Sequence, residues 1–288
     1  MPYRSVFRPG LFAGQTVIVT GGGSGIGRCT AHELASLGAQ VALIGRRREP
    51  LETVAREIAE SGGGAQVHTC DIRDEEAVRA TVAAVLADGG HIDGLVNNAG
   101  GQFPAPLSTI NLKGWETVVR TNLTGGFLMA RECYNQYMAE RGGAIVNIVA
   151  DMWHGMPGMG HSGAARAGMV NFTKTAALEW AASGVRVNAV APGWIASSGL
   201  DHYDAAMREH IRKLRDHVPL KRLGTESEVS AAVVFLLCEA AAFVSGICIR
   251  VDGAAPDARL HWPPPDHDRS RPYQGFHLAR APEVLSET

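Results

Sequence analysis

Short apolar, β-branched runs alternate along this chain with longer segments whose apolar residues recur at helical spacing. Thr16 to Val19 reads as a buried strand, and a helical pattern opens near Ile26. Val41 to Ile44 predicts a second strand, followed by a helix over Pro50 to Glu60. After the break SGGG come a strand at Gln66 to Thr69 and a helix capped by Asp74 that reaches about Ala87. Ile92 to Val96 is a fourth strand. Leu112 to Ala139 has helical periodicity, with a break expected at Gly125-Gly126. Strands at Ala144 to Ile148 and Arg186 to Val190 flank a helix over Ser162 to Ala182. Beyond Pro192 the chain reads as a polar loop with short helices, then a helix at Glu226 to Cys238 and a last strand at Ile247 to Val251. Seven strands alternating with helices predict an α/β fold, a doubly wound parallel sheet with helices on both faces.

Composition narrows the setting. With 288 residues, 45% of them hydrophobic, the chain can bury one large core. A single domain is expected over 1–255. At 256–288 the composition turns to Pro, Arg, His and Asp, which reads as a surface-hugging or partly disordered extension. A formal net charge of −2 gives no footprint for nucleic acid or a membrane surface. The five cysteines (29, 70, 133, 238 and 248) have no metal-ligand spacing and read as core residues in a reducing compartment. His261 and His267 stand in a Pro-rich tail without ligand spacing, so no metal is expected. The opening residues lack the apolar stretch of a signal peptide, and the final SET is no peroxisomal address. These features together predict a soluble, cytoplasmic protein.

The first candidate chemistry lies where the first strand meets its helix, in TGGGSGIG. Gly21, Gly25 and Gly27 are spaced G-x-x-x-G-x-G, with Ser24 and Ile26 between them. Residues without Cβ permit the sharp turn and let a pyrophosphate approach the helix N-terminus, whose dipole favours anions. In a doubly wound fold the residues just past the second strand meet the adenosine ribose. An acid there would favour a free 2′-hydroxyl. This chain has Arg46, Arg47 and Arg48 instead, and guanidinium groups suit a 2′-phosphate, so NADP(H) is the expected cofactor.

TGGGSGIG at 20–27, NNAG at 97–100, Asn122 in RTNLTG, IVNI at 145–148 and Pro192-Gly193 together resemble a classical short-chain dehydrogenase/reductase. The resemblance extends to about Gly253 and implies a Rossmann-type fold. It also implies that Asp71 and Ile72 contact adenine, that Asn98, Ala99 and Gly100 lie on the adenosine side, and that Ile195 packs near the nicotinamide. HSGAARAG at 161–168, LEWA at 178–181, NNAGGQF and PDHD at 265–268 resemble, more narrowly, peroxisomal trans-2-enoyl-CoA reductases. Such relatives reduce the conjugated double bond of acyl-CoA thioesters with NADPH. The resemblance further implies a homotetramer in which the helices near 112–139 and 162–182 pair, with Ala164, Ala165, Ala167 and Gly168 permitting close approach.

The usual family machinery is a Ser and a Tyr-x-x-x-Lys pair, and here this sequence departs. Alignment puts Ala150, Ser162 and Arg166 at those places, and only Asn122 survives of the set. A Tyr proposed as proton source in the peroxisomal relative falls on Val170. Ketone reduction makes a localised alkoxide that needs an acid during hydride transfer, whereas an enoyl thioester gives a delocalised enolate that donors can hold until it is protonated. The expected catalytic set is therefore Asn122, Ser162 and Arg166. Arg166 would hold ribose, and Ser162 would act as donor, as helix N-cap, or both. Asp151, Trp153, His154 and His161 are loop groups near the expected site. Met152, Met156 and Met159 suit an acyl chain or the core. Three functions stay open: an NADPH-dependent enoyl-CoA reductase acting on an acyl thioester, a carbonyl or alcohol dehydrogenase acting for example on an acyclic terpenoid, and a non-catalytic NADP-binding protein.

Overall fold

The structure, a computed structural model, describes residues 2–203, 205–258 and 265–285. Its centre is a seven-stranded sheet in the order β3-β2-β1-β4-β5-β6-β9. These strands are β1 (Thr16–Thr20), β2 (Gln40–Gly45), β3 (Gly64–Thr69), β4 (Gly94–Asn97), β5 (Gly143–Ile148), β6 (Val185–Pro192) and β9 (Cys248–Val251), and every pairing is parallel. Successive side chains of a strand point to opposite faces. Val17 and Val19 accordingly join one core cluster with Val41 and Leu43, while Ile18 joins the other with Ala42 and Ile44. Both faces are dry, which is why these strands read as continuous apolar runs rather than alternating ones.

Helices α1 (Gly25–Ser36), α2 (Arg48–Glu60) and α9 (Glu226–Leu237) cover the first face. Helices α3 (Glu75–Gly89), α5 (Gly125–Cys133) and α7 (Gly160–Glu179) cover the second. Asp74 caps α3 by accepting from Ala77 N, as its sequence predicts. Thr225 begins α9 with a capping box closed by Glu228. A buried amide chain fastens the second face to the sheet. Asn97 donates to Gly126 O and Asn147 Oδ1, and Asn147 donates to Thr173 Oγ1, each at 2.9 Å.

Three expectations need correction. The helix expected to break at Gly125-Gly126 runs through them. Its irregularities are π-helical turns at Arg120–Thr124 and Tyr134–Met138, which link α4 (Leu112–Val119), α5 and α6 (Ala139–Arg141). The two glycines serve close packing instead: a Cβ at Gly125 would lie 2.6 Å from Ile72 Cδ1, and one at Gly126 would lie 2.5 Å from Met169 Cε. Ser162 is not a helix cap, because α7 begins at Gly160 and encloses it. Past Pro192 the chain is more ordered than its polarity suggests. It forms the short strand pair β7 (Ile195–Ala196) and β8 (Gly224–Thr225) and a full helix, α8 (Ala205–His217), that packs on Leu200 and Val284.

The carboxyl-terminal extension is a strap across the first helical layer. Phe276 is buried against Tyr3 and Cys29, its amide donates to Ser227 Oγ at 3.0 Å, and Val284 packs under α8. His267 bonds to Pro219 O at 3.0 Å; His261 lies outside the described residues. Beneath the strap, the buried Glu33 carboxylate of α1 accepts from the hydroxyls of Tyr3, Ser5 and Ser230. All five cysteines are free, and all but Cys248 are buried.

Glu226, in the first turn of α9, has its pKa raised to about 7 by burial. A carboxyl that holds its proton more tightly folded than unfolded contributes stability that is full below its ordinary pKa and lost as the pH rises through about 7. Glu226→Gln is therefore expected to be more stable than wild type at pH 8, by on the order of 1–2 kcal/mol. The gap should close at pH 5. Urea unfolding at the two pH values measures it, and equal gaps would count against a perturbed Glu226.

Candidate active site

The strand order reverses between β1 and β4, and there the carboxyl ends of the strands part to leave a groove. Thr20 joins the two sides. Its hydroxyl accepts from Asn98 N and Ala99 N at 3.0 Å each and donates to Val96 O at 3.3 Å. The Asn98 amide turns back to donate to Thr20 O at 3.0 Å, so this side chain braces the loop while its backbone lines the groove. Gly21 leaves β1 with φ +66°, where a Cβ would press within 3.0 Å of Ala99 Cα. A Cβ on Gly27 would come within 2.4 Å of Gly21 O, so α1 can approach the strand this closely only with glycine.

One end of the groove is a cavity of about 220 Å³ walled by Gly21, Ser24, Arg46, Asp71 and Ile72, with Gly45 at its base. Asn98, Ala99 and Gly100 form its far wall. Arg73 grips the Asp71 carboxylate at 2.6 and 2.9 Å, and this bonding holds Asp71 at a pKa of about 2. A second cavity of about 530 Å³ continues past Asn98 and Gly100 and is bounded by Ile26, Ala150, Arg166 and the segment from Pro192 to Ile195. Gly25, Gly27 and Arg47 flank the first cavity: Gly25 and Arg47 line a separate cleft on the other side of the glycine turn, and Gly27 lies under the turn. Two cavities joined across shared residues, one framed by a Cβ-free turn, fit a dinucleotide.

The expected catalytic residues lie together but not in equivalent positions. Asn122, 2% exposed, sits in the first π-helical turn and closes on Gly101: its Nδ2 donates to Gly101 O and its Oδ1 accepts from Gly101 N, each at 2.9 Å. The widened turn is what aims this side chain at the loop. Arg166 rises from α7 with Nη1 donating to Ile148 O at 2.6 Å, while its Nε is buried without a partner and no carboxylate pairs with it among the described residues. Burial lowers its pKa to about 10, so it stays cationic at neutral pH. A Cβ on Gly100 would lie 2.4 Å from Arg166 Nη2 and 3.0 Å from Asn122 Oδ1, which shows how closely these three positions converge.

Ser162 stands apart. It is 0% exposed and lines neither cavity, and its hydroxyl donates to Gln102 Oε1 at 2.7 Å. Gln102, which sequence reasoning passed over as the residue after NNAGG, lines the second cavity and an adjoining apolar one of about 230 Å³. With its carbonyl committed to Ser162, the Gln102 amide has its donor end for the cavity. Tyr203 is a second residue that reasoning missed: it is among the residues lining the larger cavity and packs against the Leu200 cluster, on a segment with no periodicity to mark it.

Asp151 lines the apolar cavity beside Met156, Met159 and Trp194, and burial raises its pKa, with the Asp252 carboxylate adding to the effect. His154 is exposed and lines none of these cavities, and Met152 is likewise off their walls. Trp153 lies under the Arg250 guanidinium at 5.8 Å. His161, expected in the loop, lies instead in the first turn of α7; it is buried, edge-on to Phe103, and its Nδ1 accepts from Ser162 N. Val170 packs beside Val149 and Met169 in the core.

Residues 21–254 match the family model described as enoyl-(acyl carrier protein) reductase. The chain belongs to this family of short-chain dehydrogenases/reductases. It is 34% identical over 242 residues to a probable 2,4-dienoyl-CoA reductase of Bacillus subtilis (strain 168), covering 83% of this chain and 95% of the relative. It is 38% identical over 247 residues to a glucose 1-dehydrogenase of Gluconobacter oxydans (strain 621H), covering 84% and 92%. Among solved structures it superposes on the citronellol catabolism dehydrogenase AtuB of Pseudomonas aeruginosa PAO1. The TM-score is 0.80 at 65% identity, over 88% of this chain and 99% of that one. The protein is thus an oxidoreductase of this family, and its relatives span different substrates.

Asn122→Ala would leave both backbone groups of Gly101 without their partner. It is expected to lower stability by about 1–3 kcal/mol. Chemical unfolding of the purified variant measures this, and a loss under a few tenths would mean the loop does not depend on that amide.

Proposed function

We propose that the protein is an NADPH-dependent reductase of the conjugated double bond of a 2-enoyl-CoA thioester. One observation carries this reading: at the nicotinamide end Ala150 offers no hydroxyl, the Ser162 hydroxyl is spent on Gln102, and the neighbouring group is a cationic Arg166. That surrounding suits a delocalised enolate better than a localised alkoxide. The family description and the dienoyl-CoA reductase relative point the same way.

In this reading Gly21, Ser24, Asp71, Ile72 and the Asn98–Gly100 backbone hold the adenosine half of the cofactor. Arg46 meets the 2′-phosphate, and Pro192, Gly193, Ile195 and Arg166 seat the nicotinamide half. The bound nicotinamide supplies a hydride for the β-carbon. Gln102 donates from Nε2 to the thioester oxygen, where charge builds, and Ser162 fixes the amide in that sense. Asn122 acts through the Gly101 backbone. Asp151, with its raised pKa, delivers the α-proton, and Met156, Met159 and Trp194 wall the acyl chain. The same reading makes the protein a cytoplasmic homotetramer. Ala164 and Ala167 are exposed on α7 for close helix contact, whereas Ala165 is buried within the protomer.

A second reading, oxidation of an acyclic terpenol, is favoured by the 65% identity to a protein titled citronellol catabolism dehydrogenase. In that case Tyr203, one of the residues lining the cavity, is the candidate hydrogen-bond partner of the alcohol hydroxyl. NADPH carrying deuterium at the transferring position separates the two when incubated with 2-enoyl-CoAs. Label at the product β-carbon is the expected result. Oxidation of a terpenol by NADP⁺ with no enoyl turnover would establish the second reading, and tight NADPH binding with no turnover of either substrate class would leave a non-catalytic role. Arg166→Ala is expected to raise the NADPH requirement and lower turnover at least about tenfold, for loss of a charge-assisted contact. Arg166→Lys should keep part of both.

A further inference from the structure

A cleft of about 530 Å³ lies on the far side of the glycine turn from the adenosine cavity. Ser24 belongs to the walls of both, so a group on the ribose seated in one can cross that residue into the other. Arg46 lines the first cavity, Arg47 the second. The carboxyl-terminal strap lines the same cleft as Arg47, through Leu278 and Arg280.

The strap is held firmly just before these residues. Phe276 is 4% exposed, stacks with Tyr3 at 6.0 Å and lies under the Arg28 guanidinium at 5.2 Å. Ala279 N donates to Phe276 O at 3.1 Å, closing a turn over 276–279 directly before Arg280. Arg28 is itself fixed, with two bonds to Glu57 at 2.7 and 2.8 Å, so its charge is matched and it serves as a pillar. Arg47 and Arg280 have no hydrogen-bonded or ionic partner among the described residues. The acids that share the cleft are Glu49, exposed on the first turn of α2, Glu57, matched by Arg28, and Glu226, whose burial favours its neutral form.

We propose that Arg280 joins Arg46 and Arg47 in binding the 2′-phosphate of NADP(H), so that the carboxyl-terminal strap forms part of the cofactor site and contributes to its preference over NAD(H). The inference rests on the NADP reading above and adds a determinant from a segment remote in sequence from the glycine turn. Guanidinium groups from separate segments of the chain can share the oxygens of a phosphate monoester, and each such bond is charge-assisted.

Calorimetric titration of the intact protein with NADP⁺ and with NAD⁺ tests this without turnover. Wild type is expected to bind NADP⁺ at least about tenfold more tightly. Arg280→Ala should weaken NADP⁺ by about tenfold and NAD⁺ by less than about twofold, with Arg280→Lys in between. The melting temperature of each variant reports whether the strap stays docked. NADP⁺ preference that survives Arg280→Ala but falls in Arg46→Ala or Arg47→Ala would overturn the role of the strap and leave the NADP reading intact. Equal weakening of both cofactors would mean that Arg280 acts only through packing, which also overturns the proposal. A wild type that binds both cofactors alike would overturn the NADP reading and this inference together.

Discussion

The Thr20 hydroxyl joins β1 to the loop after β4 at the point where the strand order reverses. Parallel strands on either side of a switch point would otherwise leave their last amides facing a gap. Here one oxygen accepts two of those amides and donates to a carbonyl, and the Asn98 side chain completes the tie. The groove is therefore a braced opening beyond the carboxyl ends of β1 and β4, which pair with each other up to Val19 and Val96. Its width depends on α1 lying against Gly21, which in turn depends on Gly27 having no side chain. The positions that face the groove inherit their geometry from this knot, since Gly100 and Gly101 follow it directly and position Asn122 and Arg166 opposite them.

Much of the architecture is legible in the sequence because it follows from burial on two faces. Continuous apolar runs mark the central strands, the edge strands β3 and β9 are more polar and less buried, and the cap at Asp74 marks its helix to the residue. The glycine turn and the adenosine wall were legible for a similar reason, since both use backbone and need small residues at fixed places. The misreadings share another cause. Gly125 and Gly126 look like a break in a one-dimensional pattern, yet they are the places where Ile72 and Met169 press on the helix from elsewhere in the chain. Ser162 looks like a cap until the helix is seen to begin earlier, with Gln102 as its partner across 60 residues. Tyr203 and Gln102 carry no local signal at all, because loops reach a cavity by tertiary placement and not by period.

Arg166 shows how a fold can keep a position while changing its chemistry. A buried guanidinium without a carboxylate partner is costly, and here it is met by a single carbonyl at 2.6 Å and the open side of the cavity. The cost is compatible with the fold because α7 is anchored elsewhere, through Thr173 and the buried asparagine chain. The site can thus hold a permanent positive charge at its centre without relying on that charge for structure.

The buried carboxylate of Glu33 has a bearing on how the chain acquires its structure. Two of its hydroxyl donors come from the first few residues, but the third, Ser230, is separated from it by 197 positions. Until α9 arrives, the face of α1 that carries Glu33 has neither its apolar cover nor its last donor. The amino-terminal half, with β1 to β4 already able to pair, would hold an incompletely satisfied acid at its surface. Contacts this distant close late and slowly. The first half of the protein is thus an unfinished unit, and a chain released from the ribosome before α9 is made should be a substrate for proteolysis rather than a smaller dinucleotide-binding domain.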